Sequence, residues 1–291
     1  MTDADELQTS LLRARNADGG WPYRAGRSWT EPTSLSLIAL WAGNTSSESC
    51  SIAACWLANH QGTDGGWPPC ANVSTSTWVT SLVLIALAQE SQHSQSCAKA
   101  IRWVSSHVYP ESSGLQAFLQ KKLGLSPSHA PGSSPWFPGT AGWVIPTAFS
   151  ILALSSWSRR FPSADLQPVV DRAQTYLLSR RCPDGGWNHG GSLQRSEAST
   201  SYPETTGLAL LALAGSTSPT LGPTLRLAET FLSHPESSEG LAWLSMGLAA
   251  HGHKVEETQF TIRPKTTRET ALQLIALHAL RHKNPFLQPA S

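Results

Sequence analysis

Two glutamates stand in the same local pattern, Trp29-Thr30-Glu31-Pro32-Thr33 and Tyr202-Pro203-Glu204-Thr205-Thr206. Each precedes an apolar run, which places it in the first turn of a helix, where the macrodipole favours a negative charge by about 0.3 to 1 kcal/mol. Such a carboxylate is either a cap or, if neighbouring rings desolvate it, an acid with a raised pKa that can protonate an alkene or epoxide. Glu269 lies one residue displaced from the same place in its own repeat. Aromatic residues accompany the carboxylates: Trp29, Trp143 and Tyr202 fall four residues before Thr33, Thr147 and Thr206, and Trp78 falls just before Val79. With Phe149 they form a candidate substrate-binding rim for a polyprenyl chain or a carbocation, which a ring face attracts by about 0.5 to 2 kcal/mol per contact. The alternative is that the rings only wedge neighbouring helices apart.

The elements that position these residues follow from internal repetition. Asp-Gly-Gly-Trp occurs at 18–21, 64–67 and 184–187, each time followed by a polar stretch and an apolar run. The runs are 32–40, 79–87 and 205–213, with two further matches at 146–154 and 269–277 and a weaker one from Leu241 to Ala250. They contain almost no charge, which predicts helices surrounded by protein on nearly every side. The segments before them, Asp5 to Arg15, Ser51 to Asn59, Ala98 to His107, Leu166 to Arg180 and Leu221 to Leu232, carry apolar residues at three- and four-residue spacing and predict half-exposed helices.

Alternating outer amphipathic and inner apolar helices, repeated five or six times, close most simply into an all-α fold, an α/α toroid. An open solenoid of helical hairpins is the alternative. The expectation is a single toroid domain over residues 1–291, with an irregular insertion at about 110–142. That insertion, rich in Ser, Pro and Gly around a short helical piece Leu115 to Lys122, reads as a lid or interface segment. The tetrapeptide itself reads as structural: Gly at positive φ turns the chain, Asp bonds turn amides, and the indole packs with its N–H bonded.

Composition narrows the function classes. Charged residues are 14% and the formal net charge is +1, with no basic run, which argues against nucleic acid. The apolar runs are too short to span a bilayer, and the polar start Met1 to Glu6 is not a signal peptide. A cytoplasmic protein is expected, with peripheral membrane contact left open. The five cysteines are odd in number and show no Cys-x-x-Cys pair, so they are expected to be reduced. No cofactor is expected. His251-Gly252-His253 is the nearest thing to a metal pair, and the expectation is no metal.

Trp56-Leu57-Ala58-Asn59-His60-Gln61 followed by Asp64-Gly65-Gly66-Trp67 resembles the QW motif of squalene-hopene and oxidosqualene cyclases, which are related in fold to protein prenyltransferase β-subunits. The first copy has Asn16 in the Gln position, the copy from Tyr176 has Arg181 there, and remnants begin at Trp103 and Phe231, so the resemblance spans nearly the whole chain. It implies an isoprenoid or related apolar substrate and acid-initiated carbocation chemistry. The chain departs from these relatives in lacking the Asp-x-Asp-Asp motif, the zinc triad of the prenyltransferases and the Asp-rich magnesium motif of class I cyclases. It also supplies one toroid where triterpene cyclases use two, so a homodimer or partner subunit could complete the site. The resulting expectation is a cyclase-like protein with Glu31 or Glu204 as acid and Trp29, Trp78, Trp143, Tyr202, Phe149 and Glu269 as binding residues. A non-catalytic toroid binding a lipid, peptide or protein is the alternative, and a glycan-active toroid using Glu31 and Glu204 as a carboxylate pair is a third.

Overall fold

The charge-free runs and the amphipathic segments both form helices in the computed structural model, which describes residues 4–43, 47–89, 91–110, 130–162, 166–190 and 199–288. The inner helices are α2 (Thr30–Ala42), α4 (Val79–Leu87), α6 (Val144–Arg160), α8 (Pro203–Ala212), α10 (Ser238–Ala250) and α11 (Thr267–Arg281). The outer ones are α1 (Ala4–Arg13), α3 (Ser47–Asn59), α5 (Ser94–Ser106), α7 (Gln167–Ser179) and α9 (Leu221–Ser233). Each residue of α4 is buried, as is each from Thr30 to Leu40 of α2, whereas α1 buries only Ala4, Leu7 and Leu11, the stripe that a 3.6-residue period allows.

The inner helices pack in the order α2, α4, α6, α8, α10, α11, and α11 returns to α2, so the ring is closed. The fold is therefore an all-α toroid and not an open solenoid. The sixth repeat has no outer helix of its own: among its described residues, 251–266 form only a single 3-10 turn, Glu257–Gln259. Its place is taken by α1, which packs on α11. The start of the chain thus covers the end of the ring.

The three Asp-Gly-Gly-Trp turns share the same glycine φ and the same hydrogen bonds. Gly19, Gly65 and Gly185 have φ of 97°, 90° and 97°, a region that side chains rarely enter. Asp18, Asp64 and Asp184 each accept the backbone N–H of the second glycine at 3.0, 3.1 and 3.1 Å. Trp21, Trp67 and Trp187 are fully buried, and each indole N–H donates to a carbonyl of the preceding outer helix, from Leu11, Leu57 or Leu177, at 2.7 Å. Their backbone N–H groups donate to Thr33, Thr80 and Thr206 Oγ1 of the following inner helix. One residue therefore ties outer helix, turn and inner helix together. Gln61 Nε2 adds a link between neighbouring repeats by donating to Gly65 O and to Ser96 O of α5, both at 2.9 Å.

The bore is filled by rings at one level. Phe149 of α6 and Trp243 of α10 lie on helices separated in the ring by α8, yet their centroids are 5.7 Å apart. Phe286, from the segment after α11, lies 6.4 Å from Phe149 and 5.4 Å from Trp243, and Trp78 lies 5.3 Å from Phe149. Where α8 meets α10 the backbones approach closely: a Cβ on Gly207 would stand 2.4 Å from Leu244 N. The helical piece expected at Leu115 to Lys122 lies outside the described residues.

Candidate functional site at the mouth of the ring

The residues four positions ahead of the reference threonines or their equivalent are the N-caps of α2, α6, α8, α10 and α11: Trp29, Trp143, Tyr202, Ser237 and Thr266, all extended, with φ from −142° to −116°. Two residues further on, Glu31, Glu204, Glu239 and Arg268 occupy equivalent places in the first turns of α2, α8, α10 and α11. Hydrogen bonds between them put these helix starts at the same end of the ring. The site is this mouth.

Arg268 is its centre. Its Nε donates to Glu31 Oε1 at 2.5 Å, and its two terminal nitrogens grip Glu239 at 2.5 and 2.6 Å. Tyr23 O–H donates to the other oxygen of Glu31 in a short bond. The side chains of Arg268 and Glu31 are 21% and 12% exposed, so the pairing takes place largely out of water. Burial alone would lower the pKa of Arg268, but the two carboxylates outweigh it and hold the guanidinium more firmly protonated than usual. Burial and the Glu31 charge together push the Tyr23 hydroxyl well above its ordinary value. Glu31 is thus held as the ion-pair partner of an arginine.

Glu269 accepts from Lys265 N at 2.9 Å, Ser238 Oγ at 2.8 Å and Thr266 Oγ1 at 3.1 Å. Burial would raise its pKa, but these donors overcome that and lower it. Glu204 differs: it accepts Ser237 Oγ at 2.6 Å, and among the described residues it enters no ion pair. It is half-buried beside Tyr202, which is 44% exposed.

The aromatic candidates divide into two groups. Trp29 lies 5.6 Å from Tyr23, with the Arg27 guanidinium 4.7 Å from its ring centroid. Tyr202 lies 5.2 Å from His189, and Trp143 pairs with Ser134 in a short two-stranded ladder. These three belong to the mouth. Trp78, the half-buried N-cap of α4, also starts an inner helix, and it packs on Phe149 and, edge to face, on Trp136, so it joins the mouth to the buried rings around Phe149. Glu31 and Glu204 stand on α2 and α8, opposite each other in the six-helix ring with two helices between them on either side, and no hydrogen bond joins them among the described residues.

Sequence reasoning missed Glu239 and Arg268. The signal was present, since both lie at the same offset as Glu31 and Glu204, but Leu241 replaces the reference threonine in the weakest run and hid the register of Glu239. His251 and His253 point to different partners, Leu210 O at 2.9 Å and Glu229 Oε1 at 2.7 Å. No cluster of three or more metal-ligating side chains occurs among the described residues. The five cysteines are unbridged, and no described helix is long and apolar enough to cross a membrane.

No protein-family model and no curated protein matches the chain. Solved structures do. A type II terpene cyclase from Scytonema, bound to its substrate geranylgeranyl dihydroxybenzoate, matches over 97% of this chain and 79% of its own, with 15% identity and a TM-score of 0.56. An ent-copalyl diphosphate synthase from Streptomyces platensis matches over 87% of this chain and 50% of its own, with 16% identity and a TM-score of 0.54. An α-amylase from Clostridium perfringens matches over 95% and 97%, with 9% identity and a TM-score of 0.66. Identities this low speak for the fold alone, and the presence of both cyclases and an amylase leaves the chemistry to the site. By fold, the chain is an α/α toroid similar to these cyclases and this amylase.

Proposed function

We propose that the protein is a cyclase-like isomerase that takes an apolar isoprenoid at the mouth of the ring and starts carbocation chemistry with a proton from Glu204. The observation that carries this reading is the division among the carboxylates: Glu31 and Glu239 are committed to Arg268 and Glu269 to three donors, whereas Glu204 is met by one hydroxyl beside an exposed ring. Because the chain has no Asp-x-Asp-Asp, another carboxylate must supply the proton. Protonation of a terminal alkene leaves a tertiary cation, the next π bond closes a ring on it, and loss of a proton restores neutrality. The product is an isomer of the substrate. Tyr202 and Trp143 offer ring faces to the cation, each contact contributing about 0.5 to 2 kcal/mol. A solved cyclase of the same fold with geranylgeranyl dihydroxybenzoate bound supports the substrate class.

The test is turnover of geranylgeranyl dihydroxybenzoate and squalene, followed by mass spectrometry. An isomer of unchanged mass should form with the native protein and fall by about a hundredfold or more with Glu204→Gln, the scale of general acid catalysis. Substrate recovered unchanged from both proteins refutes the enzyme reading, and cleavage of an α-glucan instead assigns the carboxylates to hydrolysis. One observation favours the non-catalytic alternative: Phe149, Trp243 and Phe286 fill the bore, which leaves the mouth as the place for a ligand. A lipid-binding toroid would hold geranylgeraniol without changing it.

A further inference from the structure

We propose that a hollow at the seam of the ring, between α1, the loop after the first Asp-Gly-Gly-Trp turn and the loop that enters α11, binds the phosphate group of a small organic phosphate. The proposal goes beyond the isoprenoid reading and does not depend on it. The hollow has a volume of about 290 Å³. Arg24 and Lys265 both line it, together with Ser10 of α1 and Thr267 of α11, and Leu11 and Pro264 add apolar wall. Among the described residues, neither the Arg24 guanidinium nor the Lys265 ammonium enters an ion pair or a hydrogen bond. The carboxylates of the surrounding elements are committed elsewhere. Glu6, one turn before Ser10 on α1, pairs with Arg263 at 3.9 Å, Glu31 is held by Arg268 and Tyr23, and Glu269 accepts from Lys265 N, Ser238 Oγ and Thr266 Oγ1. None of them lines the hollow. Two cations therefore share one small space without a counterion, and an anion between them relieves their repulsion.

Thr267 makes the hollow more than a pair of surface cations. It is only 7% exposed and lines the hollow, yet its hydroxyl makes no hydrogen bond among the described residues, while its backbone N–H donates to Tyr23 O at 2.8 Å. A hydroxyl buried to that degree is ordinarily paired. An arginine fork, a lysine point charge and two hydroxyls supply donors for the three terminal oxygens of a phosphate monoester, whose charge of about −1.5 to −2 at neutral pH matches the two cations. A carboxylate offers two oxygens and a single charge. Leu11 and Pro264 give the carbon part of the ligand a surface to cover. The place of the hollow decides what its occupancy does. Arg24 follows Tyr23 and Thr267 precedes Arg268, the two residues that hold Glu31, so a ligand there ties α1 to α11 beside the Arg268 clasp and stabilises the closed ring.

The experiment titrates the full chain with phenyl phosphate and with benzoate by calorimetry, at an ionic strength held constant with sodium chloride, and records melting curves alongside. The proteins are native, Arg24→Gln, Lys265→Gln, Thr267→Val and, as a control for surface charge, Arg102→Gln, an exposed cation on α5. Native protein should bind phenyl phosphate saturably, more tightly than benzoate, and melt at a higher temperature as it saturates. Affinity should fall about tenfold in Arg24→Gln and in Lys265→Gln, the scale of one hydrogen bond to a charged group. It should fall about threefold in Thr267→Val, the scale of one neutral hydrogen bond, and stay unchanged in Arg102→Gln. Absence of saturable binding to the native protein overturns the proposal. So does equal affinity for benzoate, or an equal loss in Arg24→Gln and Arg102→Gln, which reduces the effect to diffuse charge. The comparison of phenyl phosphate with benzoate needs only native protein and decides the matter even if a variant does not fold. No turnover is read, so the outcome stands apart from that of the isoprenoid assay.

Discussion

Arg268 makes Glu31 and Glu204 unequal although their sequence surroundings match. Its Nε and two terminal nitrogens spend their donors on Glu31 and Glu239, and these side chains are at most 25% exposed, so removal of the guanidinium leaves two carboxylates facing each other with little water. Arg268→Met is expected to cost about 3 kcal/mol, the lower end for breaking a buried pair, measured by urea unfolding. Glu204→Gln, which keeps an amide oxygen to accept from Ser237 and loses only the charge, should stay within about 1 kcal/mol of native. Acid titration reads Glu269 directly. Its folded pKa is lowered, so its contribution is fully present above the ordinary carboxylate range and is lost as pH falls through the lowered value. Glu269→Gln should therefore flatten the acid limb of the stability curve below about pH 4.3, the unfolded glutamate pKa, and leave its shape at neutral pH unchanged. The carboxylates at 31 and 204 were legible in the sequence because the repeat aligns them. The partner of Glu31 lies 237 residues away in sequence, and no local pattern announces an ion pair of that kind.

The Asp-Gly-Gly-Trp turn accounts for the regularity of the elements. Each buried Trp satisfies its indole N–H on the helix before it and its backbone N–H on the helix after it, so the helix pair is fixed through one side chain. Trp67→Ala is expected to cost about 3 to 5 kcal/mol as a buried aromatic truncation. Thr80→Val keeps the volume but strands the Trp67 N–H, which donates at 2.8 Å in the native protein, and should cost about 1 to 3 kcal/mol. A melting curve for Thr80→Val that matches the native one would remove the threonine from this account. All eleven α-helices among the described residues were legible as hydrophobic patterns, since burial on every side erases charge from the inner ones and burial on one side leaves a stripe on the outer ones. The missing sixth outer helix was not, because α1 replaces it from the other end of the chain.

At the scale of the whole molecule, the ring is closed where distant parts of the sequence meet: α11 packs on α2, α1 packs on α11, and the Arg268 clasp joins α11 to α2 and α10. Closure brings four polar first turns to one mouth and buries the rings of Phe149, Trp243 and Phe286 against one another. The toroid was legible in the repetition, whereas the filling was not: Phe286 follows the last repeat and belongs to no pattern. The central claim is that this mouth receives an isoprenoid, and Tyr202 offers the cleanest probe of it, being exposed and outside the folded core. The measurement is equilibrium binding of geranylgeraniol by calorimetry to native protein and to Tyr202→Ala, with melting curves alongside. The account predicts saturable binding to the native protein, weakened about tenfold in Tyr202→Ala, on the scale of the apolar surface that one ring buries, at an unchanged melting temperature. Absence of binding to the native protein, or equal affinity in the two, would contradict it.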